Sequence, residues 1–125
     1  MQLEALRAID SKDAPSLAPD DRPIDLVHLA RTTLGDRSLE REVLQLFDRQ
    51  STLLIERMRA AAPGGTLALA HTMKGSARGI GAWRVARAAE AVELAEGAAA
   101  APALEALAAA TEEARAVIAD LLKAN

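Results

Sequence analysis

One imidazole, one ammonium and one glycine fall within five residues of this chain, His71-Thr72-Met73-Lys74-Gly75. The segment reads as helix, and residues three and four apart on a helix project from one face. His71 therefore has a cation beside it and no side-chain bulk next to it. That setting suits an imidazole that carries a phosphoryl group and presents it to another protein. A free imidazole titrates at about 6.5, so a neutral nucleophilic nitrogen is at hand near neutrality. The sequence leaves open which nitrogen reacts; the outward-pointing Nε2 is the expectation.

At about 100° per residue, Lys74, Gly75 and Arg78 fall within roughly 60° of His71, as do Leu67 and Ala68 one turn earlier. Leu69, Met73, Ser76, Ala77 and Ile80 fall on the opposite side. The helix thus has an aliphatic back to bury and a front holding His71, which is expected on the outside. A lone histidine is ordinarily a surface or core residue with no special task. Three details weigh against that here. A mid-helix glycine costs about 1 kcal/mol relative to alanine, and this chain uses alanine freely, so Gly75 calls for a close approach by a partner. Lys74 and Arg78 flank the imidazole, which is unhelpful for a neutral structural histidine but useful beside a phosphoryl dianion. Leu67 and Ala68 leave apolar surface for docking, although an isolated exposed leucine is common. From His71 to Ala89 the charged side chains are Lys74, Arg78, Arg84 and Arg87. This local cationic excess suits an acidic partner and speeds encounter. A solvated helix face explains Arg84 and Arg87 equally well.

The elements that must position this face are all helical. Half the residues are hydrophobic, yet Phe47 and Trp83 are the sole aromatics. The core must be aliphatic and rich in alanine and leucine, strong helix formers. A sheet protein would carry more aromatic and β-branched residues. Leu3, Leu6 and Ile9 would form a turn or two of amphipathic helix, and Asp10 to Arg22 reads as a linker. A short helix follows Pro23-Ile24-Asp25 through Leu34 and ends at Gly35. Ser38 is the expected N-cap of a second helix reaching about Ala61, with Val43, Leu46, Phe47, Leu54 and Met58 at helical spacing. Pro63-Gly64-Gly65 breaks it. A third helix carries His71 from Thr66 to Ile80, and Gly81 marks a joint. A fourth spans Trp83 to Glu96, with Val85, Ala89, Val92 and Ala95 apolar. A fifth spans Ala103 to Lys123 along Leu104, Leu107, Ala110, Ala114, Val117 and Leu121. The expected fold is all-α: an antiparallel up-down four-helix bundle with a short N-terminal capping helix. Residues 1–23 would be an extension and 24–125 the domain.

Composition removes several functions. The chain has 125 residues and no cysteine, which suits one domain and excludes disulfides, thiol catalysis and thiolate metal sites. A net charge of −3 and a pI near 5.4 speak against general nucleic-acid binding. No apolar run reaches the roughly 18 residues of a membrane span, and the N-terminus lacks a signal-peptide pattern. A cytoplasmic protein is expected.

The segment from His71 through Lys74-Gly75 to Gly81-Ala82 resembles the signature of histidine-containing phosphotransfer (HPt) domains: His, two residues, Lys-Gly, five residues, Gly. The likeness continues weakly into Val85, Ala89 and Glu93 and extends upstream over Asp25-Leu26 and Leu44 to Phe47, covering about residues 24–123. The resemblance implies a four-helix bundle relaying phosphoryl groups in two-component phosphorelays. His71 would accept the group from a phospho-aspartate on a receiver domain, or from a sensor or hybrid histidine kinase, and pass it to a response-regulator aspartate. Lys74 would stabilise the phosphoryl charge, Gly75 would make room for it, and Gly81 would let the helix joint pack tightly. Leu67, Ala68, Arg78, Arg84 and Arg87 are the candidate partner-binding residues.

Phosphoryl transfer depends mainly on positioning and charge stabilisation. Lys74 and Arg78 are available, but no carboxylate cluster beside His71 would hold magnesium, which is expected on the partner receiver domain. The chain itself would need no cofactor. It would be a stoichiometric carrier without a nucleotide site, not a complete enzyme, and a monomer, since a closed bundle buries its own core. Rival readings are the phosphoacceptor domain of a larger chemotaxis-type histidine kinase and a non-phosphorylated helical adaptor. A metal bundle using His28 and His71 lacks the Glu-x-x-His pairs such sites employ. A hydrolase lacks a base near His71.

Overall fold

The computed structural model describes residues 22–61 and 64–124, and among these the regular structure is entirely helical. The helices are α1 (Leu26–Thr32), α2 (Arg37–Ala60), α3 (Thr66–Ile80), α4 (Trp83–Leu94) and α5 (Ala100–Lys123), with a 3-10 turn at Gly97–Ala99 before α5. Most of the expected extension over 1–23, and Pro63 of the expected break, lie outside the described residues. None of these helices is long and apolar enough to cross a membrane.

Helix ends follow local chemistry. Asp36, not the expected Ser38, caps α2: its carboxylate accepts from the Leu39 amide at 3.0 Å. A carboxylate at this point also meets the positive end of the helix dipole, and Ser38 falls inside the first turn. Asp25 caps α1 in the same way through the His28 amide at 3.1 Å. α5 starts three residues earlier than the pattern indicates because Pro102 is compatible with a first turn, where its missing N–H is no loss. α4 stops at Leu94, short of the expected Glu96, and Leu94 itself is 74% exposed.

α2, α3, α4 and α5 each pack on the next, α5 returns to α2, and α1 lies on α3. Met73, Val85, Leu107 and Ile118 are completely or almost completely buried between them. Burying each such side chain contributes about 1.5–3 kcal/mol. Ala70, Ala77, Ala82, Ala89 and Ala114 have no exposed surface. Their small side chains let neighbouring helices approach closely, whereas Ala98, Ala99, Ala100 and Ala101 in the alanine-rich stretch are exposed. The buried face of α2 is Leu44, Phe47, Ser51, Leu54, Ile55 and Met58. Leu46, read from periodicity as part of that face, is instead 46% exposed. The buried hydroxyls are satisfied locally: Ser51 donates to the Asp48 carbonyl, and Thr111 to that of Leu107.

The α3–α4 joint is closely built. Gly81 lies at φ +79°, in the left-handed region, and the Ala82 amide donates back to the Ala77 carbonyl at 2.8 Å. This is a Schellman-type ending. The Gly81 carbonyl in turn accepts from the Asp25 amide at 2.9 Å. Asp25 also accepts from the Trp83 indole N–H at 2.9 Å, and the His28 ring meets Trp83 edge-on with centroids 4.8 Å apart. His28 is thus a packing residue of the α1 joint.

Candidate functional site

α3 presents the two faces that its periodicity indicates. Ala70, Met73, Ala77 and Ile80 are buried, while His71, Thr72, Gly75, Arg78 and Gly79 are exposed. The His71 side chain is 72% exposed. A Cβ built on Gly75 meets nothing within 4 Å, so no packing inside the chain demands glycine there. Gly79 is equally open. A Cβ on Gly81, by contrast, would come within 2.9 Å of the Asp25 carbonyl oxygen. The two glycines of the motif therefore do opposite things: one leaves a bare surface, the other permits a contact.

The residue that spacing within α3 does not reveal is Glu93. It stands 22 residues after His71, on α4, and its Oε2 lies 2.9 Å from His71 Nδ1. Its Oε1 lies 2.6 Å from Lys74 Nζ. One carboxylate thus spans both chemical groups of the motif. An ionised carboxylate only accepts hydrogen bonds, so Nδ1 carries a proton, and in the neutral ring Nε2 is the nitrogen with the lone pair. Lys74, through its hydrogen bond, is the main cause holding the Glu93 carboxyl below its ordinary range, and His71 adds to it. Glu93 is accordingly ionised at neutral pH. The bond to Nδ1 also fixes the ring's orientation, as carboxylate partners of functional histidines do.

Lys74 differs from its sequence expectation in one respect. Its side chain is only 14% exposed and is drawn into the seam between α3 and α4 by Glu93. The ammonium is beside the ring, but at rest its charge is matched by a carboxylate. The Oε1 contact, at 2.6 Å, is a close charge-assisted pair. The cationic excess read along the sequence is therefore partly cancelled by an acid that the sequence places on another helix.

The remaining candidates divide. Leu67 (51% exposed) and Ala68 lie exposed on α3, one turn before His71, as does Arg78 two turns after it. Arg84 does not join them. It pairs with Glu113 of α5 at 3.3 Å, and at about 100° per residue it lies half a turn around α4 from Glu93. Arg87 is exposed on α4. Among the described residues no group of three or more His, Cys, Asp or Glu side chains could hold a metal ion. The one signal in the sequence that touched Glu93 was the weak continuation of the motif resemblance into α4; nothing in its spacing gave it a role.

The arrangement amounts to an exposed nucleophilic nitrogen, a fixed ring, a compensating carboxylate and an adjacent cation. A family model described as Hpt domain matches residues 42–117, which takes in most of α2, all of α3 and α4, and α5 as far as Val117. Comparison with curated proteins and with solved structures gave no match.

Proposed function

The chain belongs to the Hpt domain family, and from that premise we propose that it relays a phosphoryl group through phospho-His71 between a sensor kinase, or its receiver domain, and a response-regulator aspartate. Membership itself places the chain in two-component phosphotransfer, whose partners are kinases and receiver domains. The observation that carries the specific proposal is the His71–Glu93 bond, which leaves Nε2 as the exposed nucleophile.

In the transfer step the Nε2 lone pair attacks the phosphorus of a donor aspartyl phosphate. An N–P bond forms as the P–O bond to the aspartate breaks, and that bonding pair leaves with the donor carboxylate. The Nδ1 proton stays, so the ring becomes cationic, and Glu93 is already placed to balance it. Passing the group to the acceptor aspartate reverses the step and restores the neutral ring. Lys74 would stabilise the phosphoryl oxygens, and Gly75 would give the partner room. Leu67, Ala68, Arg78 and Arg87 would form the surrounding docking surface; Arg84, tied to Glu113 of α5, would lie outside it.

In this reading the protein is a stoichiometric, monomeric, cytoplasmic carrier. Magnesium and the acceptor aspartate belong to the partner receiver. Residues 24–125 would form an antiparallel up-down bundle capped by α1, an arrangement that the short α3–α4 and α4–α5 connections support. The test is transfer of labelled phosphate from a panel of phospho-receivers to wild type and to His71→Gln. Acid-labile, base-stable label on wild type alone is the expected result. No label from any receiver or kinase, on protein with intact helical circular dichroism, refutes it.

A further inference from the structure

Glu93 serves two donors at once. Oε1 contacts the Lys74 ammonium at 2.6 Å while Oε2 accepts from His71 Nδ1 at 2.9 Å. Lys74 is sequestered in the helix seam, at 14% exposure, whereas the His71 ring stands out at 72%. The ammonium is therefore committed to Glu93 and not to the exposed ring edge. Phosphorylation of that edge changes every term in this balance. The ring gains a positive charge that competes for Glu93, and a dianion appears one helical turn from Lys74, on the same face. Lysine carries its charge on a flexible four-carbon stem with three rotatable donors, so it can serve either acceptor without backbone movement. Its partner at rest is one carboxylate oxygen, Oε1, while Oε2 holds the ring independently, so the Oε1 contact can be exchanged without releasing the ring.

We propose that Lys74 and Glu93 exchange partners when His71 is phosphorylated: the ammonium leaves Glu93 Oε1 for a phosphoryl oxygen, and Glu93 becomes the counter-ion of the phosphorylated ring. This rests on the reading of His71 Nε2 as the phosphoacceptor. No covalent bond beyond the N–P bond is involved. The consequence is a site whose cation is masked at rest and unmasked only by the attached group. Free anions gain little from Lys74, so the empty carrier is not occupied by inorganic phosphate, and when the acceptor takes the group Lys74 returns to Glu93.

The whole chain, labelled with 15N-lysine, is phosphorylated with phosphoramidate, a small-molecule donor. The Lys74 Nζ resonance is assigned by its loss in Lys74→Arg, and the phosphoryl ionisation is followed by 31P NMR against pH. The expected result is a shift of the Lys74 resonance on phosphorylation. Lys74→Gln should raise the phosphoryl ionisation by roughly one pH unit, the effect of removing a close opposite charge. In Glu93→Gln the Lys74 resonance should already be displaced at rest and should move less on phosphorylation. A phosphorylated ring with an unmoved Lys74 resonance overturns the exchange, as does an unmoved phosphoryl ionisation in folded Lys74→Gln. If that variant does not fold, the Lys74 resonance in wild type decides. Absence of any 31P signal that distinguishes wild type from His71→Gln overturns the phosphoacceptor reading, and the exchange with it.

Discussion

Gly75 and Gly81 both belong to the His71 motif, and replacing each by alanine should move stability in opposite directions. Gly75 lies inside α3 with nothing within 4 Å of a built Cβ. Alanine there removes the glycine penalty of roughly 0.5–1 kcal/mol. For a domain near 100 residues this raises Tm by about 4 °C. Gly81 sits at φ +79°, where an L-residue costs about 1–2 kcal/mol. A Cβ would also press to 2.9 Å from the Asp25 carbonyl oxygen and 3.0 Å from Asp25 Cβ. Neither is the loose end of a flexible chain, so relief requires moving α1, at a cost of about 1–3 kcal/mol. Together these lower Tm by roughly 10–20 °C. Thermal melts by circular dichroism measure both, and Trp83, the sole tryptophan, reports on the Gly81 joint. In transfer assays Gly75→Ala should be slowed about ten-fold or more, because a methyl group obstructs the partner at a cost comparable to overpacking. A Gly75→Ala variant that is more stable but transfers at the wild-type rate would refute the assignment of Gly75 to partner approach. A destabilised one would show that α3 itself needs the glycine.

Other perturbations separate the remaining roles. Glu93→Gln should slow transfer by roughly ten- to a hundred-fold, the range seen when the outer partner of a metal-bound histidine is lost, with little change in helical content; transfer at the wild-type rate would remove Glu93 from the site. Arg84→Ala should leave transfer unchanged and shift stability by no more than about 0.5 kcal/mol, since it breaks an exposed pair with Glu113; slowed transfer would place Arg84 in the docking surface. Acid sensitivity follows from Asp25 and Glu93, both held below their ordinary values of 3.8 and 4.5, Asp25 first by the Trp83 hydrogen bond and Glu93 first by Lys74. Each binds fewer protons folded than unfolded, so its contribution is present above the ordinary value and is lost as pH falls through the lower folded one. Urea midpoints should therefore drop below about pH 4.5, and Asp25→Asn should lessen that drop; an unchanged acid limb would disconnect Asp25 from it.

Much of this protein is legible in its sequence because helical periodicity is a local property. The apolar spacing within Thr66–Ile80 is enough to bury Met73 and Ala77 and to expose His71, since both follow from 3.6 residues per turn. The stop at Gly81 is equally local: no other residue enters the left-handed region at so little cost. Helix starts were less legible, because Asp36 and Ser38 are both good caps and which of them serves depends on where the chain leaves α1. Periodicity also misplaced Leu46, because α2 is covered on only part of its circumference and the sequence does not say how wide that part is. The meeting of His71 with Glu93 lay beyond any pattern within one helix. It exists because Ala70 and Ala77 on α3 and Ala86 and Ala89 on α4 are small and buried, letting the two helices pack closely enough for a carboxylate 22 residues away to reach both His71 and Lys74. The sequence by itself determined which residues could do chemistry and which side of their helix faces out. Only the tertiary structure decided which charges meet, because pairing across helices depends on how close and at what rotation they pack, and no spacing along the chain encodes that directly.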